Sequence, residues 1–404
     1  MSVSAEPLLL GLLAILLGSA FFIGPSLPDR IGGEVDYVGY ASAARVLLAG
    51  GNPYDPSALA PLQRAAGWQG GSATAKVQMM WNPPWVAPLI LPTAWLGWTT
   101  GFLIWNTVQL LAVIYSVVLL GRIYGGPAFP LAGLLAISVV FAPTIFLLRL
   151  GQISGLMVLG LTGFLAARRA GRPFLAGAAL TLLAIKPHLF LPMTILLLFD
   201  SFVHRSTRNG IVFGSSMLLI ASLIPLIWNS HVWTDYLDAV QAPGSALHYA
   251  PSDWRPPILA GWLARAFDGG VILQFAPSVL ASCGLIVFWW TRRRKWDWER
   301  ELPLVVAVSI VTTGYGAWAF DLVVLLLVVI PVAVTIVHAD RPRLRLWATA
   351  GFLGLNSLIL AGLEPRLGIY PVLFWSPAVV VLYFAVRATL MPPSTDTNPA
   401  PVCR

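Results

Sequence analysis

The sequence predicts an all-α integral membrane protein, a bundle of about twelve spans. Three observations carry this. Hydrophobic residues make up 57% of the 404-residue chain and charged ones only 10%, where a soluble domain carries about 25% charged. Apolar runs near the roughly 20 residues of a bilayer-crossing helix recur along most of the chain. The net charge of +8 is spread over short gaps between those runs. That is where membrane topology puts basic residues. Nucleic-acid binding asks instead for a solvated basic face with interleaved aromatics, and is excluded as a partner class.

In order, the predicted spans are 7–27, 102–121, 127–148, 153–168, 173–186, 189–203, 209–228, 270–291, 301–314, 321–338, 346–363 and 368–387. The run Pro7 to Leu27 has no basic residue before it and no small-residue cleavage site after it. It reads as a retained anchor rather than a signal peptide. The short runs 173–186 and 189–203 meet at Lys186-Pro187-His188, as a helical hairpin or a proline-broken helix. Residues 84–98 are apolar but carry Pro84, Pro88 and Pro92, which predicts a re-entrant or interfacial half-helix. Residues 1–391 form one membrane domain, and 392–404 a disordered cytoplasmic tail. Cys283 and Cys403 make neither a disulfide framework nor a metal site.

Orientation follows from the gaps. With the N-terminus inside, 16 of the 25 basic residues are cytoplasmic, among them Arg168, Arg169, Arg205 and the Arg292–Lys295 cluster. The first extracytoplasmic loop, 28–101, then holds Tyr37, Tyr40, Ala41, Ala44, Leu47 and Leu48 at helical spacing. Gly50-Gly51 and Asn52-Pro53 stop that helix. It is expected to lie as an amphipathic helix on the outer membrane surface. A second external loop, 229–257, is rich in Trp, His, Asp and Pro.

Candidate chemistry gathers on that face. Asp36 can act as a general base on a hydroxyl, or serve only as a helix N-terminal residue. Arg149 and Gln152, between two spans, and Lys186 and His188, at the hairpin tip, reach the external leaflet. Buried cations there cost about 2.5–3.5 kcal/mol on insertion scales and suit a lipid phosphate. The bland alternative is that Arg149 and Lys186 snorkel to the interface. Asp321 opens a span, where the helix dipole favours a carboxylate. The five histidines show no metal-ligand spacing, and no phosphate-cradling glycine motif follows a strand. No metal and no cofactor is expected.

Several short runs point to a family. Asp36-Tyr-Val-Gly-Tyr40 through Gly50-Gly-Asn-Pro-Tyr54-Asp55-Pro, then Trp81-Asn-Pro83-Pro84-Trp, Gly151-Gln152-Ile-Ser, Ala-Ile-Lys186-Pro187 and Ala-Phe320-Asp321-Leu occur in order. Together they resemble glycosyltransferase family 87, the polyprenyl-phosphate-mannose-type mannosyltransferases of bacterial membranes. The resemblance implies a GT-C fold with its active site facing away from the cytoplasm, in the bacterial inner membrane. It implies a polyprenyl-phosphate sugar donor, a lipid or glycan acceptor, and inverting transfer of a hexose, mannose foremost, without metal. Asp36 would be the base. Arg149, Gln152, Lys186, His188 and Asp321 would lie around the donor, and Tyr40, Tyr54 and Trp81 would stack on sugars. Many relatives carry His or Tyr where this chain has Trp318 and Phe320. A transporter or flippase of a lipid-linked sugar is the rival, as is a docking protein without activity. The chain shows no internal repeat, and its polar residues gather at one face.

Overall fold

The structure is a computed structural model that describes residues 35–68, 77–242, 258–260, 263, 267, 271–361 and 372–390. The expected anchor at 7–27, the part of the second external loop from 243 to 257 and the tail at 392–404 lie outside the described residues. Among the described residues, every regular element is helical. The main helices are α1 (Tyr37–Leu48), α2 (Pro56–Ala65), α3 (Trp98–Gly125), α4 (Leu131–Val140), α5 (Ala142–Leu150), α6 (Ser154–Arg169), α7 (Pro173–Thr181) and α8 (Leu191–Val203). They continue as α9 (Arg205–Leu223), α10 (Val232–Gln241), α11 (Val271–Arg292), α12 (Trp298–Thr312), α13 (Leu326–His338), α14 (Pro342–Ala361) and α15 (Val372–Leu390).

Among the described residues, four stretches are long and apolar enough to cross a bilayer: Trp98–Gly125, Arg205–Ile227, Ile272–Lys295 and Asp321–His338. Two bent pairs raise this to six: Leu131–Val140 with Ala142–Leu150, turning by 59°, and Pro173–Ile185 with Pro187–Val203, turning by 120°. The twelve predicted runs include 7–27, outside the described residues, and 346–363 and 368–387, only partly within them. The runs 153–168 and 301–314 fold as α6 and α12, of 16 and 15 residues. At 1.5 Å per residue each is under about 25 Å long, short of a roughly 30 Å hydrocarbon core. Their buried residues pack inside the bundle.

The 120° turn falls at Lys186-Pro187. Proline has no N–H to donate and excludes α geometry from the residue before it. Lys186 accordingly sits at φ −136°, ψ 74°. Residues 84–98 form three short helical pieces, Pro84–Val86, Ala87–Ile90 and Leu91–Trp95, before α3 begins at Trp98.

One expectation is overturned. α1 is not an amphipathic surface helix: ten of its twelve residues are buried, on all sides. Its small residues Gly39, Ala41, Ser42, Ala43 and Ala44 let neighbouring backbone come close; a Cβ on Gly39 would meet Gln78 O at 3.0 Å. The single cation, Arg45, lies 3.5 Å over the Trp98 ring and donates to Leu96 O at 2.6 Å.

α3, about 42 Å long at 28 residues, connects the two ends of the bundle. At its first turns Trp105 Nε1 donates to Gly151 O at 2.8 Å, against α1. At its far end Tyr124 donates to Glu299 O at 2.7 Å, and Arg169 donates to Ile123 O at 2.9 Å. That end also holds Arg387 on Glu301 at 2.8 Å. Buried Asp200 there accepts from His204, Trp289, Thr207 and Trp298. The arginine-rich gaps thus converge at one pole.

α7 and α9 touch at backbone distance, and a Cβ on Gly177 would stand 2.0 Å from Gly210 O. Gly177→Val is expected to destabilise the fold by about 3 kcal/mol or more through overpacking, read as a lowered unfolding temperature in detergent.

Candidate active site

At the pole opposite the arginines, a cavity of about 510 Å³ opens among the loop before α1, the break after α7, the start of α6 and the loop before α13. Each side chain is placed by a local break in helical structure. Asp36 precedes α1, but its carboxylate makes no capping bond to the helix. Its Oδ1 accepts from Gln78 Nε2 at 2.6 Å and its Oδ2 from Gln152 Nε2 at 2.5 Å. The capping role is therefore not what holds it.

Gln152 enters through Gly151, which ends α5 in the left-handed region at φ 65°. A Cβ there would also meet Tyr37 Cβ at 2.7 Å, so glycine is required twice over. Gln152 Oε1 accepts from Tyr40 at 2.9 Å and faces Lys186 Nζ at 3.4 Å. Lys186 Nζ then donates to Asp321 Oδ1 at 2.7 Å. Asp321, only 1% exposed, also accepts from Ser154 Oγ at 2.5 Å and Trp318 N at 3.1 Å. Lys186 Nζ lies 4.6 Å from the Phe320 ring centroid, over its face. The result is one chain of contacts, Asp36 to Gln152 to Lys186 to Asp321.

Burial first, then the Asp36 and Asp321 carboxylates, push the Tyr40 phenol well above its ordinary range. It stays protonated and donates. Burial, then Tyr236 and Asp235, do the same to Tyr54.

The cavity brings together Asp36, Tyr40, Trp81, Gln152, Lys186, His188 and Asp321. Two expected members stand elsewhere. Arg149 is exposed at the end of α5 and does not line the cavity. Tyr54 is 3% exposed and donates to Asn82 O at 3.0 Å, bracing the 81–85 segment. Tyr40 lines the cavity but is itself 5% exposed, its ring against Trp105.

The sequence reading leaves out Gln78, Asn82 and Ser154. Asn82 Nδ2 donates to Ile185 O at 2.8 Å and Trp85 Nε1 to Ala184 O at 2.7 Å. These two bonds tie the Trp81-Asn-Pro-Pro-Trp run to the helix break carrying Lys186. Asn82 and Ser154 lie inside motifs the sequence offers. Gln78 has no such signal. Among the described residues no group of three or more His, Cys, Asp or Glu is placed to hold a metal ion.

The model of glycosyltransferase family 87 matches residues 81–314, more than half the chain. The protein belongs to glycosyltransferase family 87. It is a membrane glycosyltransferase, so a sugar donor and an acceptor are its substrates, and the transporter reading is not favoured. No curated protein and no solved structure matches the chain. The match to family 87 contains Trp81, Gln152, Lys186 and His188, whereas Asp36 and Asp321 lie on either side of it. The cavity joins both to the matched core.

Lys186→Met leaves the buried Asp321 carboxylate without its cation. An expected loss of about 3–5 kcal/mol should appear as a lowered unfolding temperature, and Asp321→Asn added to it should restore most of the difference.

Proposed function

We propose that this protein transfers a hexose, mannose foremost, from a polyprenyl-phosphate-linked donor to a hydroxyl of a lipid or glycan acceptor. Transfer takes place on the extracytoplasmic face of a bacterial inner membrane, with inversion and without a metal. One observation carries the reading: a carboxylate, Asp36, and an ammonium, Lys186, meet opposite ends of the same Gln152 amide in one cavity. Glycosyl transfer needs an acceptor for a hydroxyl proton and a cation for a departing phosphate, one on each side of the anomeric carbon.

The acceptor oxygen attacks the anomeric carbon in line while its proton passes to Asp36. The bond from that carbon to the phosphate oxygen breaks, and its electron pair leaves with the polyprenyl phosphate. An ammonium has three donors. Asp321 and Gln152 engage two on Lys186, and the third serves the leaving phosphate. Trp81 offers a ring for sugar stacking on the cavity wall, where Tyr236, Phe275 and Trp318 add aromatic surface. The volume of about 510 Å³ lies within the range of small-ligand sites. The outward orientation is supported by the gathering of Arg169, Arg387 and their neighbours at the opposite pole.

Asp36→Asn keeps the side-chain size and removes the base. Transfer in reconstituted vesicles should fall by about 10²–10⁴-fold, while donor-lipid binding and unfolding temperature stay near the parent values. Full activity in this variant would remove Asp36 from the mechanism.

A further inference from the structure

The polarity of the Gln152 amide is dictated by its neighbours. A carboxamide has one donor end and one acceptor end. An ionised carboxylate only accepts and an ammonium only donates. Asp36 Oδ2 lies 2.5 Å from one end of the amide, and Lys186 Nζ lies 3.4 Å from the other. Only the orientation with Nε2 on Asp36 satisfies both. The flipped amide would set oxygen against oxygen and nitrogen against nitrogen.

Lys186 alone does not hold that orientation. At 3.4 Å its contact is at the weak limit of a hydrogen bond, and its short bond, 2.7 Å, goes to Asp321. The Tyr40 hydroxyl, at 2.9 Å, is the near donor to Gln152 Oε1. Tyr40 and Gln152 are each 5% exposed, so water does not compete freely for these groups. The Tyr40 ring is fixed in turn by Trp105, with centroids 5.7 Å apart, and Trp105 is bonded to Gly151 O.

We propose that Tyr40 is a positioning residue rather than a sugar-stacking one: its hydroxyl locks the Gln152 amide, and the locked amide aims the Asp36 carboxylate at the acceptor hydroxyl. This rests on Asp36 being the base. Tyr40 then acts on the rate only through Gln152. Gln78 holds the other carboxylate oxygen at 2.6 Å, and Gln63 braces Gln78 through its backbone N and O at 2.9 and 2.8 Å. Gln152 therefore fixes the remaining rotation of the carboxylate.

The test uses the full-length protein in vesicles, with a donor panel of farnesyl phosphates carrying mannose, glucose, galactose or arabinose. Octyl glycosides serve as acceptors. Tyr40→Phe, which keeps the ring, should lower kcat about tenfold, the scale of one buried hydrogen bond, with donor KM unchanged. Gln152→Ala should lower kcat on the order of a hundredfold, and the double variant Tyr40→Phe/Gln152→Ala should match Gln152→Ala alone. Gln152→Met keeps the side-chain length and removes both ends of the amide without adding a charge beside Asp36. It should reproduce the kcat loss of Gln152→Ala at a parent-like unfolding temperature, which separates positioning from misfolding.

Several results would overturn the proposal: parent-like kcat in Tyr40→Phe, effects that multiply in the double variant, or a loss confined to donor KM. If no donor supports transfer by the parent protein, the polyprenyl-phosphate donor reading fails as well; if Asp36→Asn stays fully active, Asp36 is not the base and the positioning role falls with it. A dead Asp36→Asn beside additive Tyr40 and Gln152 effects would sink the positioning role alone.

Discussion

The pairing of Lys186 with Asp321 is the constraint on which the arrangement of the site depends. An ammonium at the tip of a broken apolar helix is stable in a bundle only with a carboxylate beside it. Asp321 supplies that carboxylate from the loop that opens the run into α13, at 2.7 Å. Meeting it requires the helix to break at Pro187 and the loop before Asp321 to double back. In that loop Ala317 sits in the left-handed region at φ 57°, a strain of about 1–2 kcal/mol for a residue with a Cβ. The strain is held in place because Trp318 N, just beyond it, is fixed on Asp321 Oδ2. Ser154 adds a third donor to Asp321, so α6 and the start of the α13 run are bound to the same carboxylate.

That pair also sets the electrical character of the cavity. Asp321 offsets most of the charge on Lys186, so the resting site is not a bare cation in an apolar wall. On the proposed mechanism, an arriving phosphate would share an ammonium already paired, and a departing one would leave the pair intact. The opposite pole uses charge differently. There Asp200 is saturated by four donors and Glu301 is held by Arg387. Those networks join helix ends to one another, and no lining of the cavity comes from them.

Much of this was legible in the sequence, and the exceptions share a cause. The break at Lys186-Pro187, the helix after Asp36 and the separation of basic gaps from the polar face each follow from a local rule about proline, periodicity or topology. Gln152, Lys186 and Asp321 stand out because polar groups are costly among apolar neighbours. The burial of α1 did not follow. Its tyrosines and alanines have the spacing of a one-sided helix, and only the approach of residues 78–80, 91–95 and α3 from the other sides turns it into a core element. Arg149 illustrates the same limit: a cation at a span end reads alike whether it faces a cavity or leans into the interface.

Comparing Asp36 with Asp200 and Asp321 supports the choice of Asp36 for the proposed proton transfer. Asp200 and Asp321 are 0% and 1% exposed, with their oxygens occupied by donors from within the fold. Neither can approach a substrate hydroxyl without giving up a structural bond. Asp36 is half-buried and lines the cavity. Its position is set by two glutamine amides, which stabilise a carboxylate without transferring a proton to it. A base must be reachable, charged and stationary. Asp36 is reachable through its exposure and held in place by the two amides, and the base proposed for it draws on both properties.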